Sequence, residues 1–154
     1  MIEIITLEHR KDLAVICAKW NHAEWGQAAG ATEEEVASAL QDIIHSSDGQ
    51  AARAALWNGE LAGFVLLIHS DLDSHPHLKP WVASVLVAPE FRGRGIATAL
   101  MTAIETAAHD LGYSEAYLYT YKPDLYRKMA WGDFEELTGE NEGMLILNKK
   151  IARG

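Results

Sequence analysis

Residues 85–100, VLVAPEFRGRGIATAL, join the end of an apolar run to the start of a helical pattern through two arginines and two glycines. Arg92 and Arg94 bring full positive charge, and no acidic residue falls between Glu90 and Glu105. Gly93 and Gly95 let a bulky group approach the main chain with no Cβ in the way. A helix opening near Ile96 exposes the unpaired N–H groups of its first turn and the positive end of its dipole. Together these features make an anion site best matched to phosphate or pyrophosphate. The spacing G-x-x-x-x-G-K-[ST] is absent, which excludes a nucleotide P-loop. GRGIAT also departs from G-x-G-x-x-G, and the following strand lacks the acid that would bind a ribose, which argues against a dinucleotide site.

Such a site needs a strand before it and a helix after it, and the surrounding pattern supplies both. Residues 81–88 are apolar on both alternating faces and read as a buried central strand. Ile96, Leu100, Ala103, Ile104, Ala107 and Leu111 recur as a long helical stripe. Upstream, the β-branched IEIITL reads as a first strand. Leu13, Ile16, Cys17 and Trp20 then fall at helical spacing, and NHAEWGQAAGA reads as a loop. Thr32 and Glu35 form a capping box for a second helix. AARAALW and ELAGFVLLI flank Asn58-Gly59 as a hairpin. After the long helix come a strand at 116–120, a short helix opened by Pro123, and two closing strands. The order is β-α-α-β-β-β-α-β-α-β-β, an α/β (α+β) arrangement with helices on the faces of a mixed sheet, in one domain over 1–154.

The 154 residues carry a formal net charge of −9, which argues against nonspecific nucleic-acid binding and favours a cationic acceptor or no charged partner at all. No apolar run reaches the length of a membrane span, and no basic segment followed by an apolar stretch opens the chain. With Cys17 as the single cysteine, a cytoplasmic protein with no membrane partner is expected. Cys17 itself reads as an inert core residue. No metal site is expected.

VLVAPEFRGRGIATALM resembles motif A of the GNAT N-acetyltransferase superfamily, [QR]-x-x-G-x-[GA], with Arg92, Gly95 and Ala97 in the signature positions. LGYSEAYLYT is similar to that family's next strand, and DLYRKMAW to its following helix. The resemblance implies the GNAT fold over almost the whole chain, acetyl-CoA as cofactor and acetyl transfer to an amine. It implies that Leu86 and Val87 offer a strand edge to the pantetheine arm. It further implies that Arg92, Gly93, Arg94, Gly95, Ile96, Ala97 and Thr98 surround the pyrophosphate, with amides mattering more than side chains.

Acetyl transfer to an amine needs a held carbonyl, a base for the amine and an acid for the departing thiolate. Tyr126 matches the family's acid position, beside Leu125 and Met129 on the buried face of its helix. Tyr117, Tyr119 and Tyr121 read as packing. The glutamate that many relatives carry on the central strand is missing. The loop before that strand offers Asp71, Asp73, His75 and His77, of which His77 is preferred, because histidine titrates in the right range, and then Asp73. A water wire is the alternative. In the loop between the first two helices, Glu24 can attract an ammonium and Trp25 can wall it, while Trp20 reads as core. Two departures from the family pattern are Ala130, where a glycine is usual, and the lack of an asparagine in YTYKPDLY. The leading expectation is acetylation of a small-molecule primary amine by direct attack in a ternary complex. A peptide or protein amine as acceptor, or a non-catalytic CoA sensor, are the other readings. The sequence leaves the oligomeric state open; dimers are frequent in the resembled family, and the final strands offer an edge through which a homodimer could pair.

Overall fold

Seven strands form a single sheet in the order β1-β2-β3-β4-β5-β7-β6. The computed structural model describes residues 1–151. The strands are β1 (Ile2–Ile5), β2 (Ala51–Trp57), β3 (Glu60–Ile68), β4 (Trp81–Val87), β5 (Glu115–Thr120), β6 (Gly132–Glu136) and β7 (Leu145–Lys150). The helices are α1 (Lys11–Asn21), α2 (Glu33–Ile44), α3 (Ile96–Asp110) and α4 (Pro123–Arg127). The element order is the one read from the sequence.

Apolar side chains on the two sheet faces decide where the helices lie. Ala55, Val65, Val82 and Leu118 meet α3 through Leu100, Met101 and Ile104 on one face. Ala54, Phe64, Leu66 and Ala83 meet α1 and α2 through Leu13, Cys17, Leu40 and Ile44 on the other. The Thr32–Glu35 capping box starts α2, with each side chain accepting from the other residue's N–H at 3.1 and 3.0 Å.

Two local departures from the sequence reading concern the region around the site. The buried stripe of α1 is Leu13, Ala14, Cys17 and Ala18. Ile16, expected inside, is 37% exposed, and Trp20 is half-buried against both cores. The stretch after α1, expected as a loop, continues instead as a π-helical turn over His22–Gly26, closed by Gln27 N–H on His22 O at 2.8 Å. Turns of this kind are invisible to a 3.6-residue period because each inserts one residue.

The central strand carries the feature that opens the sheet. Phe64 pairs with Leu86 and Leu66 with Ala83, so Val65 alone faces both Ser84 and Val85. This is a β-bulge, with Ser84 at φ +55°. It reverses the side-chain alternation: Val82, Val85 and Val87 share the α3 face, and Ala83 and Leu86 the opposite one. Beyond the parallel pair Trp81–Tyr117, β4 and β5 no longer pair. A bulge bends and twists its strand, and here β4 leaves β5 as it bends.

Candidate active site

The gap between β4 and β5 is the candidate site. One cleft of about 470 Å³ runs from the β4 edge to the first turn of α3, and a second of about 630 Å³ runs between the splayed strands toward β7. Glu24, Trp25, Val85, Lys122 and Tyr126 line both, so the two clefts are continuous at these residues.

The first cleft is built from main chain. Gly95 caps α3 in the left-handed region at φ +80°, and Gly93 lies at φ +78°. A Cβ added at either glycine would meet nothing within 4 Å, so the cradle is open. The first helical bond of α3 runs from Ala99 N–H to Gly95 O at 3.1 Å. Among the described residues, no main-chain acceptor takes the N–H groups of Gly93 through Thr98. Five of these six residues, Gly93, Gly95, Ile96, Ala97 and Thr98, line the cavity at the positive end of a 15-residue helix. Leu86 and Val87 continue the same wall along β4. This donor set fits a diphosphate with an extended amide-bearing arm.

The side chains divide. Arg92 lines the cleft and its Nε donates to Val87 O at 3.3 Å. Arg94 does not reach it. Its guanidinium lies over the Trp57 ring at 4.8 Å and near Phe91 at 5.9 Å, a cation–π arrangement that draws the charge across β2. The Ile96 side chain is 1% exposed in the core, so only its amide is offered to the cleft.

The second cleft holds the acid–base candidates. Tyr126 is half-buried, and burial pushes its phenol above the ordinary value. Its neighbour Leu125, expected on the buried face of α4, is 43% exposed and lines the first cleft instead. His77 and Asp73 are exposed and line neither cleft. Leu72 and Leu78 anchor their loop in a small core with Trp81 and Tyr117. The residues between these anchors turn outward. His75 Nε2 meets Glu135 Oε2 at 2.6 Å, and the His77 ring stacks on His75 at 6.0 Å.

Asp71, one residue before the Leu72 anchor, lines the second cleft with Tyr119 and Ser84. Burial pushes its carboxyl up to about 6. Burial, with the Asp71 charge adding to it, raises Tyr119 to about 12. Sequence reasoning ranked Asp71 below its neighbours because only the Leu72 anchor separates inward from outward positions. Asn21 also lines this cleft, and its Nδ2 donates to Ser84 Oγ at 2.9 Å. Spacing had left a signal for it: Asn21 follows Cys17 by four residues on the buried stripe of α1. Cys17 is fully buried, and burial raises its thiol to about 12, so it is no nucleophile in this state.

The model of the acetyltransferase (GNAT) family matches residues 16–131. The chain belongs to this family. A search of curated proteins found no match. Among solved structures, an aminoglycoside 6'-acetyltransferase type Ii superimposes with a TM-score of 0.76 at 18% identity, over 100% of this chain and 99% of its own. An aminoglycoside 6'-N-acetyltransferase complexed with coenzyme A gives 0.77 at 15%, over 100% and 98%. A GNAT-family acetyltransferase from Streptococcus pneumoniae gives 0.72 at 19%, over 98% and 100%. At these identities the likeness is one of fold. The GNAT protein described here is an acetyl-CoA-dependent acetyltransferase. Among the described residues, no helix is long and apolar enough to cross a membrane.

Proposed function

We propose that the chain acetylates a primary amine of a small cationic molecule, by direct attack while acetyl-CoA and acceptor are both bound. The observation that carries this reading is the continuity of the two clefts at Tyr126, one lined by open amides and the other by Asp71. When bound, acetyl-CoA supplies an activated acetyl thioester. The amides of Gly93, Arg94, Gly95, Ile96, Ala97 and Thr98, with the Arg92 charge, hold its diphosphate. The edge of Leu86 and Val87 orients its arm. In this reading Asp71 accepts a proton from the acceptor's nitrogen, and Tyr126 donates one to the departing sulfur. A carboxyl raised to about 6 is ionised at neutral pH yet basic enough for this task. A phenol raised above its ordinary value stays protonated, and the shared apolar surroundings raise the thiol's proton affinity too.

Glu24 and Trp25 stand where the clefts meet, and Trp25 is 40% exposed. A carboxylate beside an aromatic wall suits an ammonium. Polyamines and aminoglycosides are acceptors of this chemistry, and two of the similar folds are named as aminoglycoside enzymes.

The test follows free thiol while the protein meets acetyl-CoA and a panel of polyamines, aminoglycosides, amino acids and short peptides. Amine-dependent thiol release with a cationic small molecule is expected. In Tyr126→Phe, turnover falls by about a hundredfold or more while coenzyme affinity stays within about twofold. Tight coenzyme binding with no amine-dependent release across the panel would identify a binding protein and overturn the reading.

A further inference from the structure

Ser84 is one of three described non-glycine residues with positive φ, and it alone lies inside a strand. A bulge of this type ordinarily places glycine in the left-handed position, because a Cβ there crowds the neighbouring carbonyl. Something must hold a serine in that conformation. The bulge is also where β4 begins to leave β5, since the strands pair at Trp81–Tyr117 and nowhere beyond.

The only side-chain hydrogen bond described for Ser84 comes from Asn21, 63 positions away in sequence. Asn21 ends α1 on the stripe that otherwise buries Leu13, Ala14, Cys17 and Ala18. An apolar residue in its position would add packing, whereas the asparagine reaches across the cleft wall to the bulge. The π-turn that carries Glu24 and Trp25 starts at the next residue. The clamp therefore ties the bent strand to the segment that lines the acceptor side.

We propose that Asn21 is a positioning residue that holds the Ser84 bulge, and through it the free β4 edge at Val85–Val87, in the geometry that receives the coenzyme arm. The assignment rests on the coenzyme reading of that edge given above. Asn21 acts here by fixing the left-handed backbone of Ser84 through its side-chain hydrogen bond. Glycine at position 84 adopts that backbone without help, so it makes the clamp dispensable.

The test uses the full chain with two readouts. In ¹⁵N-labelled protein without ligand, the three-bond HN–Hα coupling of residue 84 reports φ directly. Asn21→Ala is expected to move it from the left-handed value toward the extended-strand value. With acetyl-CoA as the calorimetric probe, Asn21→Ala is expected to raise Kd about tenfold in the Ser84 background and less than about twofold in the Ser84→Gly background. An unchanged coupling in Asn21→Ala overturns the proposal, whatever the coenzyme does. An equal loss of affinity in both backgrounds also overturns it, because the effect would not pass through the bulge. Failure of the parent chain to bind acetyl-CoA would instead count against the coenzyme reading, and the coupling measurement would still decide the clamp.

Discussion

At the scale of single residues, the proposed base is one carboxylate kept partly out of water. In that role burial of Asp71 would serve the reaction and tax the fold at once. Its carboxyl is lifted from 3.8 to about 6, so the folded chain holds a proton that the unfolded chain releases. The stability linked to this group is full below about pH 3.8 and is lost as pH rises through about 6. Asp71→Asn is therefore expected to unfold later than the parent at pH 8, by on the order of 1–2 kcal/mol after allowing for partial exposure, with the difference vanishing near pH 4. The same variant should lose the acid limb near pH 6 from its kcat/KM profile and most of its turnover. Denaturant titrations at two pH values and a pH–rate series separate the effects. A variant that gained no stability at pH 8 would mean that the carboxylate is solvated and is no candidate base. Histidine had been preferred from the sequence because its ordinary pKa suits the task. The sequence does not display that Leu72 and Leu78 sink into a small core and turn His77 away from the cleft.

At the scale of elements, strain collects where chain direction changes around the site. Ala130 follows α4 and precedes β6 at φ +69°, the position where family relatives usually carry glycine. A Cβ in that region costs about 1–2 kcal/mol. Ala130→Gly is thus expected to raise stability by about 1 kcal/mol, read as a shift in denaturant midpoint with unchanged slope. A loss of stability would mean that the alanine methyl contributes packing that outweighs the strain. The elements themselves were largely legible: hydrophobic periods gave the strands and helices in order, and the glycine-spaced loop announced the start of α3. What escaped were one-residue insertions. The π-turn over His22–Gly26 and the Ser84 bulge each break a period locally. Neither uses glycine at the critical position, so the usual compositional mark is absent. Helical spacing puts Ile16 and Trp20 on the buried side of α1 with Leu13 and Cys17. The structure buries the small Ala14 and Ala18 instead, which lets α1 pack close to the sheet. Charge and the family resemblance both point Arg94 toward phosphate, while the pull of Trp57 depends on a strand 37 residues earlier.

At the scale of the whole molecule, the proposed function asks charge to reconcile two substrates of opposite sign. The chain carries −9 and yet the coenzyme is anionic. In the proposed site the local answer is a row of backbone dipoles with Arg92 at one end, whose effect is short-ranged and would survive dissolved salt if the donors touch the ligand. An ammonium acceptor meets the reverse situation. It is drawn by the overall field, with Glu24 and Asp71 in its cleft, and that attraction acts over distances that salt screens. The two substrates should therefore answer differently to ionic strength. Raising salt from about 10 mM to about 150 mM shortens the screening length from roughly 30 Å to roughly 8 Å. Over that range kcat/KM for a diamine acceptor is expected to fall several-fold, for a monoamine less, while acetyl-CoA affinity holds or improves slightly. Steady-state kinetics at fixed saturating acetyl-CoA, with calorimetry for the coenzyme, measure both. If affinity for the coenzyme fell as steeply as the acceptor term, side-chain cations rather than touching amides would be holding the diphosphate, and Arg92 would become the residue to remove next.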